Sequence, residues 1–266
     1  MQYTLGLIGA GNMAEAIVRA AIGQGVIPAE KIIAADPSPD RRAVFASLGA
    51  AVAESNREVV AGSDQLLLAV KPQMFPEVAG ELGGGPEEQV FISIMAGLGT
   101  AKIAAAVPGR SPRVVRVMPN TPVLVGQGMA GIALGEHARP GDEELAIKLF
   151  SAGGEAVRVG EAQMDAITAV SGSGPAYAFY LAEAMQQAAE ELGLGEHAGL
   201  LVSQTLLGAA RMLRETGESP AELRRKVTSP GGTTEAACHT LDAKQVRESI
   251  VAAVKAAAAR SEELGQ

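Results

Sequence analysis

The strongest constraint on this chain is a change of rhythm at Gly160. Before it, short apolar runs alternate with stretches of helical spacing; after it, only helical spacing remains. The runs at residues 4–8, 31–35, 65–70, 90–95 and 114–118 read as strands, with helices such as 13–23 and 40–48 between them. Strands that alternate with helices imply a parallel sheet with helices on both faces. Residues 128–134 and 156–159 are later strands flanking a helix at 141–150. From Glu161 onward the segments 165–170, 176–192, 197–215, 220–226, 234–241 and 243–264 all read as helices. A boundary at 160/161 is therefore expected, with domains at 1–160 and 161–266.

Several of the later helices are rich in small and apolar residues, as in the run Leu206, Leu207, Gly208, Ala209, Ala210. Such faces are too apolar for a free-standing solvated bundle. Burial against a second copy is the expected solution, and a compact monomeric bundle is the alternative. The length of 266 residues suffices for two modest domains, and the 47% hydrophobic content can build their cores. A net charge of −8 and an aromatic content of 3%, without Trp, argue against nucleic acid. An anionic ligand must then be held by local donors rather than by a general positive field. The first apolar run is broken by glycines, which suits neither a signal peptide nor a membrane span, so a cytoplasmic location is expected. The lone Cys238 forms no disulfide framework. The scattered His137, His197 and His239 match no metal-binding spacing, so no metal is expected.

Two glycine loops carry the chemistry. Gly9, Gly11 and Ala14 lie between a strand and a helix. There the first glycine makes a tight turn, the second admits a pyrophosphate, and the small third residue lets the helix pack on the strand. Residues 1–160 are thus expected to be a Rossmann-like, doubly wound dinucleotide-binding domain. Asp36, after the second strand, can accept hydrogen bonds from ribose hydroxyls, which suits NADH. Ser38, Arg41 and Arg42 can reach a 2′-phosphate, which suits NADPH. Lys71 and Asn120 follow strand ends, where ligands bind in open α/β sheets. Lys71 is expected to contact the cofactor. Asn120 either holds a carboxamide or caps a turn.

The second loop, residues 228–234, reads Thr-Ser-Pro-Gly-Gly-Thr-Thr and opens a helix. Its free amides and hydroxyls suit a carboxylate. Arg224, Arg225 and Lys226 precede it, either as cations at a helix C-terminus or as attractors of an anion. No Walker A loop and no nucleophile elbow is present. Between Lys148 and Lys226 there is no lysine. Alcohol oxidation on a two-domain layout of this kind needs a general acid or base, often a lysine. Imine reduction needs chiefly positioning and an anion anchor.

Taken together, the motifs resemble those of the pyrroline-5-carboxylate reductases over nearly the whole chain. They are Gly9-Ala10-Gly11-Asn12-Met13, Ala69-Val70-Lys71-Pro72, Met118-Pro119-Asn120-Thr121-Pro122, Ser171-Gly172-Ser173-Gly174-Pro175-Ala176-Tyr177 and the loop 228–234. The resemblance implies reduction of Δ1-pyrroline-5-carboxylate to L-proline by NADPH or NADH. It places Gly9, Ala10, Gly11, Asn12 and Met13 at the pyrophosphate and Asp36 and Asn56 near the adenosine ribose, with Ala69, Val70, Lys71, Ala96 and Asn120 as further cofactor contacts. It implies that Ser229, Gly231, Gly232, Thr233 and Thr234 receive the substrate, with Thr234 beside the ring nitrogen and Glu161 facing the substrate. It also implies a helical domain that forms a homodimer, and a decamer of five dimers. The chain departs from the family pattern at Asp36, where relatives more often have a small or polar residue, and at Lys226, where Asn is familiar. The alternatives are a reductase of a related cyclic imino acid, a β-hydroxyacid dehydrogenase, which the missing lysine disfavours, and a non-catalytic dinucleotide sensor.

Overall fold

The structure, a computed structural model, describes residues 2–265. Eight strands form one sheet: β1 Tyr3–Ile8, β2 Ile32–Ala35, β3 Ala51–Ala53, β4 Ser63–Leu68, β5 Val90–Ser93, β6 Arg113–Met118, β7 Gly128–Leu134 and β8 Gly154–Arg158. Their order is β3-β2-β1-β4-β5-β6-β7-β8. The strands are parallel as far as β6, β7 runs antiparallel to β6, and β8 is parallel to β7. Leu5 lies opposite both Ile32 and Gln65, which sets the register of the three central strands.

Leu66, Leu67 and Leu68 are consecutive and all fully buried, as a strand covered on both faces requires. Alternate side chains build two cores. Leu5, Leu7, Leu67, Ile92 and Val115 pack with Ile17 of α1 (Asn12–Gly23), Phe45 of α2 (Pro39–Ser47), and Leu149 and Phe150 of α6 (Glu144–Ser151). Ile8, Leu66, Leu68, Phe91 and Val114 pack with Val59 of α3 (Asn56–Gly62), Phe75 of α4 (Phe75–Ala79) and Ile103 of α5 (Thr100–Ala106).

All seven expected strands are present, with ends shifted by at most two residues. The eighth, β3, is an Ala-Val-Ala segment on the sheet edge, too short to carry a period. Helix α6 starts three residues later than its apolar pattern, because Gly141 adopts φ +102° and its N–H donates to Glu143 Oε2 in the preceding turn. After α7 (Met164–Ile167) the chain widens into a π-helical turn over Thr168–Gly172.

Beyond it lie α8 Gly174–Glu191, α9 Ala198–Glu215, α10 Pro220–Lys226, α11 Thr233–Ala243 and α12 Val246–Gly265. Gln245, with φ +53°, separates α11 from α12. The chain forms two compact units, residues 1–173 with 257–266, and residues 174–256. In the second unit Ala189, Ala198 and Val202 are the buried apolar side chains among the described residues. Tyr180, Leu192 and Leu200 are 76%, 80% and 72% exposed. Its helices thus carry apolar surface that the unit does not itself cover. Among the described residues no helix is long and apolar enough to cross a membrane.

Leu67 sits at the centre of the sheet with both neighbouring strands packed against it. Leu67→Ala is expected to lower stability by roughly 2–5 kcal/mol, read from denaturant unfolding with an unchanged slope.

Candidate dinucleotide and substrate sites

In the strand order 3-2-1-4-5-6, the connections from β1 and β4 leave toward opposite faces of the sheet. A crevice opens between the C-terminal ends of those strands. β1 ends at Ile8, whose carbonyl accepts from Ala69 N–H at 2.9 Å, and Gly9 N–H donates to the Ala35 carbonyl at 2.9 Å. Gly9 adopts φ +93°, and a Cβ on it would lie 2.9 Å from the Ala69 carbonyl oxygen, so no other residue fits without strain. Gly11 differs. It is the N-cap of α1, has ordinary extended geometry and makes no side-chain cap. A Cβ there would meet nothing within 4 Å. Its lack of a side chain leaves open space over the first amides of α1, as a pyrophosphate needs. Ala10 and Ala14 are buried, Asn12 is exposed, and Met13 is half-buried against the core. These residues fit a bound dinucleotide.

Asp36 lies at the end of β2 and holds this loop together. Its Oδ2 accepts from Ala10 N–H at 2.8 Å, and its Oδ1 accepts from Ser38 N–H at 2.9 Å. Arg41 donates through Nε to the Ala10 carbonyl at 2.6 Å and through Nη2 to Glu15 at 2.7 Å. Arg42 donates to the Asp36 carbonyl at 2.6 Å. Hydrogen bonds from Arg19 and then Arg41 hold the Glu15 carboxyl below its usual range. The acid and the two arginines that sequence reasoning offered to the ribose therefore also set the shape of the glycine loop.

The remaining cofactor candidates line the same edge of the sheet. Ala69 and Val70 follow β4 half-buried, and Lys71 follows them exposed. Ala96 is exposed in the loop after β5. Asn56, the first residue of α3, donates to Glu81 at 2.7 Å. Asn120 is buried, and both ends of its amide bond to protein: Oδ1 accepts from Met129 N–H at 2.8 Å, and Nδ2 donates to the Ser171 carbonyl at 3.1 Å. Asn120 opens the turn at 121–125 without a side-chain cap bond, and its amide instead clamps that turn to residues 129 and 171.

Glu161 accepts at Oε1 from Thr100 N–H at 3.2 Å, capping α5, and from Arg116 at 3.0 Å. Its Oε2 is buried without a partner among the described residues. Arg116 is 6% exposed and also lies 3.7 Å from Asp165, which accepts from Ser261 Oγ at 2.7 Å. Sequence reasoning passed over Arg116. Its signal was a charge inside the apolar run Val114-Val115-Arg116-Val117.

In the second unit, Gly231 adopts φ +71° and Gly232 caps α11, where a Cβ would clash with Ser229 Oγ at 2.4 Å. Gly231 N–H donates to Glu235 at 2.8 Å, and Ser229 is exposed. Thr233 and Thr234, in the first turn of α11, make no hydrogen bond through N–H or hydroxyl to another described residue. The loop therefore holds a rigid turn beside unused donors. Arg225 and Lys226 pair at 2.5 Å with Glu222 and Glu218, so their charge is largely answered within their own segment.

A doubly wound sheet with an open glycine loop defines a dinucleotide-dependent oxidoreductase. Residues 4–97 match the family described as NADP oxidoreductase, coenzyme F420-dependent, and residues 161–264 match pyrroline-5-carboxylate reductase dimerisation. The chain is 42% identical to a pyrroline-5-carboxylate reductase from Synechocystis over all of both chains. It is 46% identical to one from Pseudomonas aeruginosa over 98% of this chain and 97% of the relative. The solved reductase of Coxiella burnetii superposes with a TM-score of 0.91 at 39% identity over the whole of both chains. That of Plasmodium falciparum, solved with NADP bound, superposes at 0.89 and 28% identity, again over the whole of both. The chain belongs to the pyrroline-5-carboxylate reductase family. It is an NAD(P)H-dependent oxidoreductase, and its dimerisation domain makes it a homo-oligomer.

Asp36→Ala orphans two loop amides, so it should weaken NADH and NADPH together by about tenfold in titrations of each cofactor. A loss for NADH with a gain for NADPH would reassign Asp36 to ribose selection alone. Glu15, with its folded pKa depressed, stabilises the protein fully above its ordinary value of 4.5 and loses that contribution as pH falls through the folded value. Glu15→Gln should therefore flatten the acid limb of melting temperature against pH below 4.5, with little slope change near neutrality.

Proposed function

We propose that the protein reduces Δ1-pyrroline-5-carboxylate to L-proline, the last step of proline biosynthesis. The observation that carries this reading is the start of α11. There Gly231 and Gly232 keep side chains off the turn, and Thr233 and Thr234 offer donors that nothing else in the described chain uses. A helix N-terminus with spare amides suits a carboxylate, and the substrate is a small cyclic carboxylate.

In this reading residues 1–160 bind the dinucleotide and residues 161–266 bind substrate and form the dimer. Gly9, Ala10, Gly11, Asn12 and Met13 receive the pyrophosphate. Asp36 and Asn56 lie toward the adenosine ribose, while Ala69, Val70, Lys71, Ala96 and Asn120 serve the rest of the cofactor edge. Ser229, Gly231, Gly232, Thr233 and Thr234 hold the carboxylate. Glu161 faces the substrate. When bound, NAD(P)H supplies the hydride that adds to C5 of the imine. The ring nitrogen takes a proton from Thr234 or from water. A threonine hydroxyl is a weak acid, so its chief task is to orient the nitrogen. The exposed apolar faces of the helices after residue 174 form the dimer interface, five dimers assemble into a decamer, and the protein acts in the cytoplasm.

NADH and NADPH oxidation followed side by side should depend on added pyrroline-5-carboxylate and proceed poorly with the six-membered piperideine-6-carboxylate. A preference for the larger ring would make the protein a reductase of that imino acid. Cofactor binding without turnover would make it a sensor. Thr234→Ala should lower kcat or raise the imine KM by about 10–100-fold with the cofactor KM unchanged. Unchanged kinetics would remove that hydroxyl from the mechanism.

A further inference from the structure

The loop that carries Ala96 is held at several points. Upstream, Ile94 N–H donates to the Leu68 carbonyl at 3.1 Å, extending the β5 pairing to β4. Downstream, Glu161 Oε1 fixes Thr100 N–H at the start of α5. Its middle rests on the C-terminal end of α12. A Cβ on Gly97 would lie 3.1 Å from Leu264 Cβ, and one on Gly265 would lie 2.8 Å from the Gly97 carbonyl oxygen. The Gly265 backbone and the Leu264 Cβ thus stand directly against Gly97. Ser261, one turn earlier in α12, is 4% exposed and donates to Asp165, whose carboxylate faces Arg116. Arg116 in turn holds Glu161. The polar chain Ser261–Asp165–Arg116–Glu161 therefore ends on the residue that anchors the loop downstream, while Leu264 and Gly265 press on its middle.

We infer that the final turns of α12, latched by the Ser261–Asp165 hydrogen bond, position the Ala96–Gly97 loop for cofactor binding. Ser261 is a positioning residue. This inference rests on the reading of Ala96 as a cofactor contact. β5 lies beyond β4, on the side of the switch point away from β2 and Asp36, so the loop serves the nicotinamide half of the dinucleotide. Losing the latch lets the helix end move away from Gly97 and frees the loop, at a cost to cofactor affinity rather than to the chemical step.

The test is direct titration of NADPH and NADH by ligand fluorescence, alongside steady-state kinetics and thermal melting, on Ser261→Ala, Ser261→Thr and Ala96→Leu in the full chain. Ser261→Ala should raise the cofactor Kd about threefold to tenfold, with kcat at saturating cofactor and the imine KM within twofold of the parent. Ser261→Thr, which keeps the hydroxyl, should restore the Kd. A lowered melting temperature with an unchanged Kd in Ser261→Ala overturns the latch. Ala96→Leu separates the two claims. An unchanged Kd there overturns Ala96 as a contact. A raised Kd there with none in Ser261→Ala leaves the contact standing and overturns the latch alone. If Ser261→Ala does not fold, Gly265→Ala replaces it, since its new methyl displaces the loop without touching the polar chain. The same rise in Kd is expected, and its absence overturns the inference.

Discussion

The parallel pairing of β1 with β4 is the constraint on which the first unit depends. Both strands are buried on two faces, so their side chains answer to the cores above and below. The connections from their ends depart to opposite faces, which opens a crevice between those ends. Backbone from the two strand ends meets there. Gly9 approaches the Ala69 carbonyl, and Ala69 N–H bonds back to Ile8. At Gly11, where the chain bears no side chain, open space is left. The shape of the glycine loop thus follows from the strand order as much as from its own glycines.

Electrostatics in this protein is local. With a net charge of −8 the chain has no broad positive field, and several of its cations near the proposed sites are committed. Arg41 and Arg42 tie down the glycine loop and the end of β2, Arg116 neutralises two carboxylates beneath the loop after β5, and Arg225 and Lys226 answer acids of their own segment. What an anionic ligand meets besides the exposed Lys71 is backbone N–H at helix starts, a donor that needs no counter-charge. The second unit has a different economy. Among the described residues it buries few side chains of its own and displays large apolar ones.

Much of this architecture was legible in the chain. The apolar runs located seven strands, because each is a stretch of at least four residues. β3 was not legible, since three residues on an edge carry no period. Glycines at 9, 11, 231 and 232 marked both loops. The partners of Asp36, Asn120 and Glu161 were not legible, because they lie 26, 9 and 45 residues away in sequence and meet only once the sheet forms. Arg116 was visible as an anomaly in an apolar strand, but its purpose required Glu161 and Asp165 beside it.

By itself the sequence determined the order of elements, the change at Gly160 from sheet to helices, and the two glycine turns, because periodicity, special φ and helix caps are properties of neighbouring residues. Only the tertiary structure decided which face each strand buries its side chains on, and which polar groups serve the fold. It turned Asp36 into the staple of the glycine loop, Asn120 into a clamp, and Ser261 into a contact 96 residues from its acceptor. A hydrogen bond between distant segments depends on how sheet and helices pack, and that packing is set by the buried surface of the whole unit rather than by any local run of residues.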